Sequence, residues 1–165
     1  MTWQSKQPLL TATILGGMAL AIILGLNLAE RYVLGPHTAG ILDLQFAFDA
    51  VRVYDILLHW PKSERSFLLV SLLIDGPLIA CYAGSFFIAL KTLNPRPDLQ
   101  LEYLPILAGV ADLLENLGTT ILVYGHASNG VAMATSIFAL LKWLLIMTTG
   151  ILISLLVLFR SELKR

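Results

Sequence analysis

The chain has 165 residues, 57% hydrophobic and 13% charged, with a mean hydropathy of +0.79 and a formal net charge of zero. Charged residues at about half of the ~25% usual in a soluble domain mark a membrane protein. The neutral balance leaves no basic footprint for nucleic acid, and the single cysteine, Cys81 inside an apolar run, excludes an intramolecular disulfide.

A helix needs about 20 mostly apolar residues to cross the hydrocarbon core. The first such run covers 8–28 and holds no charge. Lys6 ahead of it imitates the start of a signal peptide, but the run is longer than an h-region of about 7–15 residues. No A-x-A site follows it, so an uncleaved anchor helix is expected. The long segment after it is broken by Gly35-Pro36 and again by Pro61. Between the breaks, Phe46, Ala50, Val53, Leu57 and Trp60 recur at helical spacing, opposite a stripe of Gln45, Asp49, Arg52, Asp55 and His59. Arg52 stands three residues from both Asp49 and Asp55 and can pair with each. The spacing predicts one amphipathic helix over 42–60, lying at the membrane interface or capping the bundle.

The second span covers 66–90, interrupted by Asp75, and ends at the turn Asn94-Pro95-Arg96-Pro97-Asp98. The third covers 103–124 and holds Asp112 and Glu115. A tight turn from Gly125 to Gly130 leads to the fourth, 135–159, which holds Lys142. The expected fold is all-α: a polytopic transmembrane four-helix bundle, one membrane domain over 1–165, with an amphipathic helix in its first loop. One side of the membrane carries Lys6, Lys91, Arg96, Arg160, Lys164 and Arg165; the other carries Arg31, Arg52, Lys62 and Arg65. That bias predicts cytoplasmic termini and suits a bacterial inner membrane.

Helices in lipid associate through small residues that permit close approach. Gly17, Ala21 and Gly25 in the first span, and Gly76, Ala80 and Gly84 in the second, recur every four residues. These two stripes are expected to face each other. Pro77, next to Asp75, is expected to kink the second span and free backbone carbonyls beside the acid.

A charge at the bilayer centre costs roughly 2.5–3.5 kcal/mol on insertion scales, so Asp75, Asp112, Glu115 and Lys142 need partners. Counted from the helix ends at 1.5 Å per residue, all four lie within about two turns of one depth. Asp112, Glu115, Asn116 and Thr119 share one face of the third span, while Leu113, Leu114 and Leu117 point elsewhere. One polar site is therefore expected, made of Asp75, Asp112, Glu115, Asn116 and Lys142. Three carboxylates against one ammonium leave two excess negative charges, to be offset by protons, a cation or a ligand.

The run Ala111-Asp112-Leu113-Leu114-Glu115-Asn116 has the form A-D-x-x-E-N. It resembles the signature of a family of small four-span bacterial membrane proteins without an established activity, in which an aspartate early in the second span follows a loop with a short amphipathic helix. The resemblance implies weight for Asp75, Asp112, Glu115 and Asn116 without naming a reaction. In span count, and in acids within a lipophilic interior, the chain is similar to the EXPERA group of sterol isomerases and the sigma-two receptor. That likeness implies a pocket for cationic amphiphiles.

Enzyme constellations are missing: no H-E-x-x-H, no G-x-S-x-G, and no G-x-G-D of the intramembrane aspartyl proteases. His37, His59 and His126 lie outside the spans with no metal-ligand spacing, and no cofactor motif is present. The expected function is binding of a small lipophilic or cationic ligand, or of protons, between the helices; a transporting version would need a homo-oligomer. The alternatives are an accessory subunit whose charges only hold helices together and, third, a membrane-embedded isomerase-like enzyme.

Overall fold

A computed structural model describes residues 7–35, 39–60, 62–125 and 127–162, without side chains at 34, 62–65, 97 and 160–162. Among them the chain forms helices α1 (Gln7–Leu34), α2 (Ile41–Gln45), α3 (Ala50–His59), α4 (Lys62–Leu93), α5 (Leu104–Tyr124) and α6 (Asn129–Glu162). Two single 3-10 turns, Pro97–Leu99 and Leu101–Tyr103, precede α5. Helices α1, α4, α5 and α6 are each long and apolar enough to cross a membrane. The fold is an all-α four-helix transmembrane bundle.

The segment between α1 and α4 differs from the single helix expected over 42–60. The chain breaks between α2 and α3, where Phe48 takes a positive φ of 59°. Asp49 then caps α3 by accepting a 2.8 Å bond from the Arg52 amide. Among the described residues Arg52 therefore pairs through its guanidinium with Asp55 alone (2.9 Å), since the Asp49 carboxylate serves the backbone. Val53, Ile56, Leu57 and Trp60 turn inward and bury against Leu68 of α4, Leu122 and Val123 of α5, and Ala132 of α6. Four bonds pin this cap: Phe48 N to Ser136 Oγ, Ala50 N to Asn129 Oδ1, Tyr54 Oη to the Ala127 carbonyl, and Trp60 Nε1 to the Ala39 carbonyl. The segment thus caps the bundle, one of the two placements expected for it.

Helix α6 starts at Asn129, six residues before the expected span, because Ser128 caps it: its Oγ accepts from the Val131 amide and its carbonyl from the Ala132 amide. Helix α4 continues unbroken through Pro77, which is exposed. Pro77 removes one backbone donor from α4 without ending the helix.

Helices α1 and α4 pack together as expected, but not through the expected stripes. Gly17, Ala21 and Gly25 are exposed, as are Gly76 and Ala80. The contact runs one residue away, about 100° around the helix. Ala12 and Ala19 are buried, and a Cβ on Gly16 would stand 3.1 Å from Ser85 Oγ. Ser85 fixes this face by donating a 2.7 Å bond to the Ala12 carbonyl. Gly84 alone of the predicted six lies near the contact, where an added Cβ would approach Leu15 to 3.5 Å. Leu15, Ile22 and Leu26 then pack on Leu78, Cys81 and Tyr82, more apolar contact than a glycine stripe offers.

Helices α5 and α6 approach closely at Gly118, where an added Cβ would collide with the Thr135 side chain. The missing side chain at 118 is what lets the polar face of α5 press onto α6.

Candidate functional site

Helix α5 carries the chemistry. Its buried face presents Ala108, Ala111, Asp112, Glu115 and Thr119, at successive spacings of three, one, three and four residues, while Leu113, Leu114 and Leu117 are exposed. A buried acid enters this face because α6 supplies the opposite charge. The Lys142 ammonium lies 3.1 Å from Asp112 Oδ1 and in close contact with Glu115 Oε2. All three groups are buried, with Glu115 0% exposed. A shared ammonium resolves the repulsion between two acids one turn apart. The same ammonium lies 5.6 Å from the centroid of the Trp143 ring.

Asp112 is satisfied on both oxygens, since Tyr82 Oη of α4 donates a 2.9 Å bond to Oδ2. Tyr82, Asp112, Lys142 and Glu115 thus form one hydrogen-bonded chain across α4, α5 and α6. At its far end, Glu115 Oε1 and Thr119 Oγ1 are buried without a hydrogen-bond partner among the described residues.

Asp75 is placed differently. It accepts a 2.6 Å bond from Asn116 Nδ2 on α5, is partly buried, and forms no ion pair among the described residues. The site residues read from the sequence therefore meet in two adjoining groups: Asp112, Glu115 and Lys142 in one, Asp75 and Asn116 in the other.

Both groups border a cavity of about 240 Å³. Its α4 wall is one helical stripe, Phe67, Ser71, Leu72, Asp75, Leu78 and Tyr82. Asp112 and Asn116 come from α5, Lys142, Trp143 and Ile146 from α6, and Ile23, Leu26, Asn27 and Glu30 from α1. Helix α2 closes one end with Ile41, Leu42 and Gln45, and is tied to α1 by a 2.6 Å bond from the Ile41 amide to Glu30 Oε1.

Sequence reasoning missed Tyr82, Glu30 and Gln45. Tyr82 had a legible signal: it follows Asp75 by seven residues, two turns along the same face. A single helix over 42–60 places Gln45 on the stripe opposite Phe46 and Val53; the break at Phe48 turns it inward instead. Its Oε1 is buried without a hydrogen-bond partner. Among the described residues no three His, Cys, Asp or Glu side chains are grouped to hold a metal ion. His59 is exposed on α3, donating to the Asp55 carbonyl, while His37 and His126 lie outside the described residues. So do the side chains of Lys6, Lys62, Arg65, Arg160, Lys164 and Arg165, which carried most of the orientation reading.

Compared with family models, with curated proteins and with solved structures, this chain finds no match.

Proposed function

We propose that this protein binds a small lipophilic amine between its helices, with the ammonium against Asp75 and the apolar body along Leu72, Leu78, Leu26 and Ile146. The observation that carries the reading is Asp75 itself: a carboxylate without a cationic partner among the described residues, on the wall of a mostly apolar cavity. Lys142 is already engaged by two acids. A ligand cation at Asp75 removes one of the two excess negative charges and lets its apolar part replace lipid or water in the cavity. Size supports a small ligand. An apolar cavity of about 150 Å³ holds benzene, so ~240 Å³ suits roughly ten non-hydrogen atoms by proportion.

The test uses hexylammonium, hexanol and hexanoate, which share a chain and differ in charge, added to protein in phosphatidylcholine nanodiscs. Hexylammonium at saturation is expected to raise the unfolding midpoint, by about 2.7 kcal/mol of stabilisation at a hundredfold excess over its dissociation constant. Hexanol should act weakly and hexanoate not at all. Equal effects from all three would overturn the amine reading.

A second reading, proton binding by the same acids, draws on Glu115 Oε1, which is buried without a partner at the end of the hydrogen-bonded chain. It is checked by acid-driven proton flux into vesicles, which Glu115→Gln should abolish.

A further inference from the structure

The cavity is bounded on one side by two helices that do not pack on each other. Helix α1 makes its packed interface with α4 and none of comparable extent with α5 or α6. Yet α1 supplies Ile23, Leu26, Asn27 and Glu30 to the cavity wall, and α6 supplies Lys142, Trp143 and Ile146. The gap between α1 and α6 is therefore a side of the cavity that no helix among the described residues closes. The residues on its two lips face outward as well as inward: Ile23 is 39% exposed and Trp143 41%. Ile23 is sixteen residues into α1 and Trp143 fourteen into α6, roughly 20–24 Å along each helix. Both lips thus lie deep within spans about 30 Å or more in length.

The ends of the cavity are better closed. Helix α2 covers the end toward the cap, held by the Glu30–Ile41 bond and by Gln45, which is buried. At the other end, Tyr82 is held to Asp112 and packs with Phe86, their rings 6.5 Å apart.

From this geometry we infer that the gap between α1 and α6 is a lateral portal, and that the site takes single-chain membrane amines whose tails pass through it into the bilayer. The inference rests on the amine reading of Asp75 and extends it: the ligand is a bilayer component, not a water-borne solute. Three features of the portal suit such an occupant. Its lips are apolar where a chain would lie, at Ile23, Leu26 and Ile146. Asp75 stands inside, where an ammonium drawn in from the membrane meets a carboxylate without a cation among the described residues. Asn27, exposed one turn from Ile23, donates its amide nitrogen to the Ile23 carbonyl, which leaves its side-chain oxygen at the lip to accept from a ligand's ammonium.

Chain length separates a portal from a closed pocket. A cavity sized for about ten non-hydrogen atoms cannot enclose an eighteen-carbon amine, which binds only if its tail leaves between α1 and α6. Hexylammonium and octadecylammonium would be titrated into protein in phosphatidylcholine nanodiscs, with affinities expressed as mole fraction in the lipid. The portal predicts affinities within about threefold of each other. Ile23→Trp, at the lip, should weaken octadecylammonium at least tenfold more than it weakens hexylammonium. Binding of hexylammonium with exclusion of octadecylammonium would overturn the portal while leaving the amine site standing. Octadecylammonium binding untouched by Ile23→Trp would overturn the placement of the opening. If neither amine binds, the amine reading itself falls, and the portal with it.

Discussion

Two groups of carboxylates reach one cavity in this bundle and are treated in opposite ways. Asp112 and Glu115 share Lys142 in a packed interior. Asp75, on the wall of the same cavity, is only partly buried and meets the Asn116 amide instead of an ammonium. Depth is similar for both, and so is the cost of placing a charge there. The difference lies in who provides the compensating charge. For the first pair, α6 provides it at the moment of folding, so the pair serves the fold. For Asp75 the fold supplies an amide donor but no cation, so a stabilising contribution is left for a ligand to make.

The largest effect expected from breaking this comparison is on the first group. Lys142→Met leaves two buried acids facing each other and should cost about 3–5 kcal/mol, measured as a fall in the unfolding midpoint in detergent. Next is Gly118→Ala. Helix propensity alone would favour alanine by about 1 kcal/mol, but the added methyl runs into Thr135 and overpacking should cost about 1–3 kcal/mol. Net stabilisation by this variant would contradict the close approach of α5 and α6. Tyr82→Phe removes one of the two bonds to Asp112 and should cost about 1 kcal/mol, read from the same melt. Asp75→Asn keeps the bond with Asn116 within reach and should change stability by less than about 1 kcal/mol. A loss as large as that of Lys142→Met would erase the distinction between the two groups. Smallest of all is Asp55→Asn, which breaks the pair with Arg52 in the cap. With both side chains about half exposed (52% and 51%), the expected loss is below about 0.5 kcal/mol and vanishes at high salt.

Much of this was legible because lipid imposes strong rules. Apolar length set the four spans, and the phase of Asp112, Glu115 and Asn116 set the buried face of α5. The pairing within the site was less legible. Depth estimates placed Lys142 near all three acids, and only its angular position on α6 decides for Asp112 and Glu115 over Asp75. The small-residue stripes misled because α1 and α4 each carry more than one. A single hydrogen bond, Ser85 to the Ala12 carbonyl, goes with the face that is used, and its acceptor is backbone that every residue shares. The cap resisted for a related reason. Asp49 reads equally well as a partner of Arg52 or as an N-cap, and the outcome turns on Phe48 adopting a positive φ, which an aromatic residue does not advertise. Gln45 changed sides with that break, and so entered the cavity wall unforeseen.

The central claim, that Asp75 is an acid kept for a ligand's cation, is tested most directly by calorimetry of hexylammonium binding to wild-type protein and to Asp75→Asn in neutral-lipid nanodiscs. A charge-assisted bond worth about 1.5–3 kcal/mol predicts measurable binding to the wild type and at least a tenfold loss in the variant, with the fold of both unchanged. Equal affinity for the two proteins, or no heat of binding with either, would contradict it.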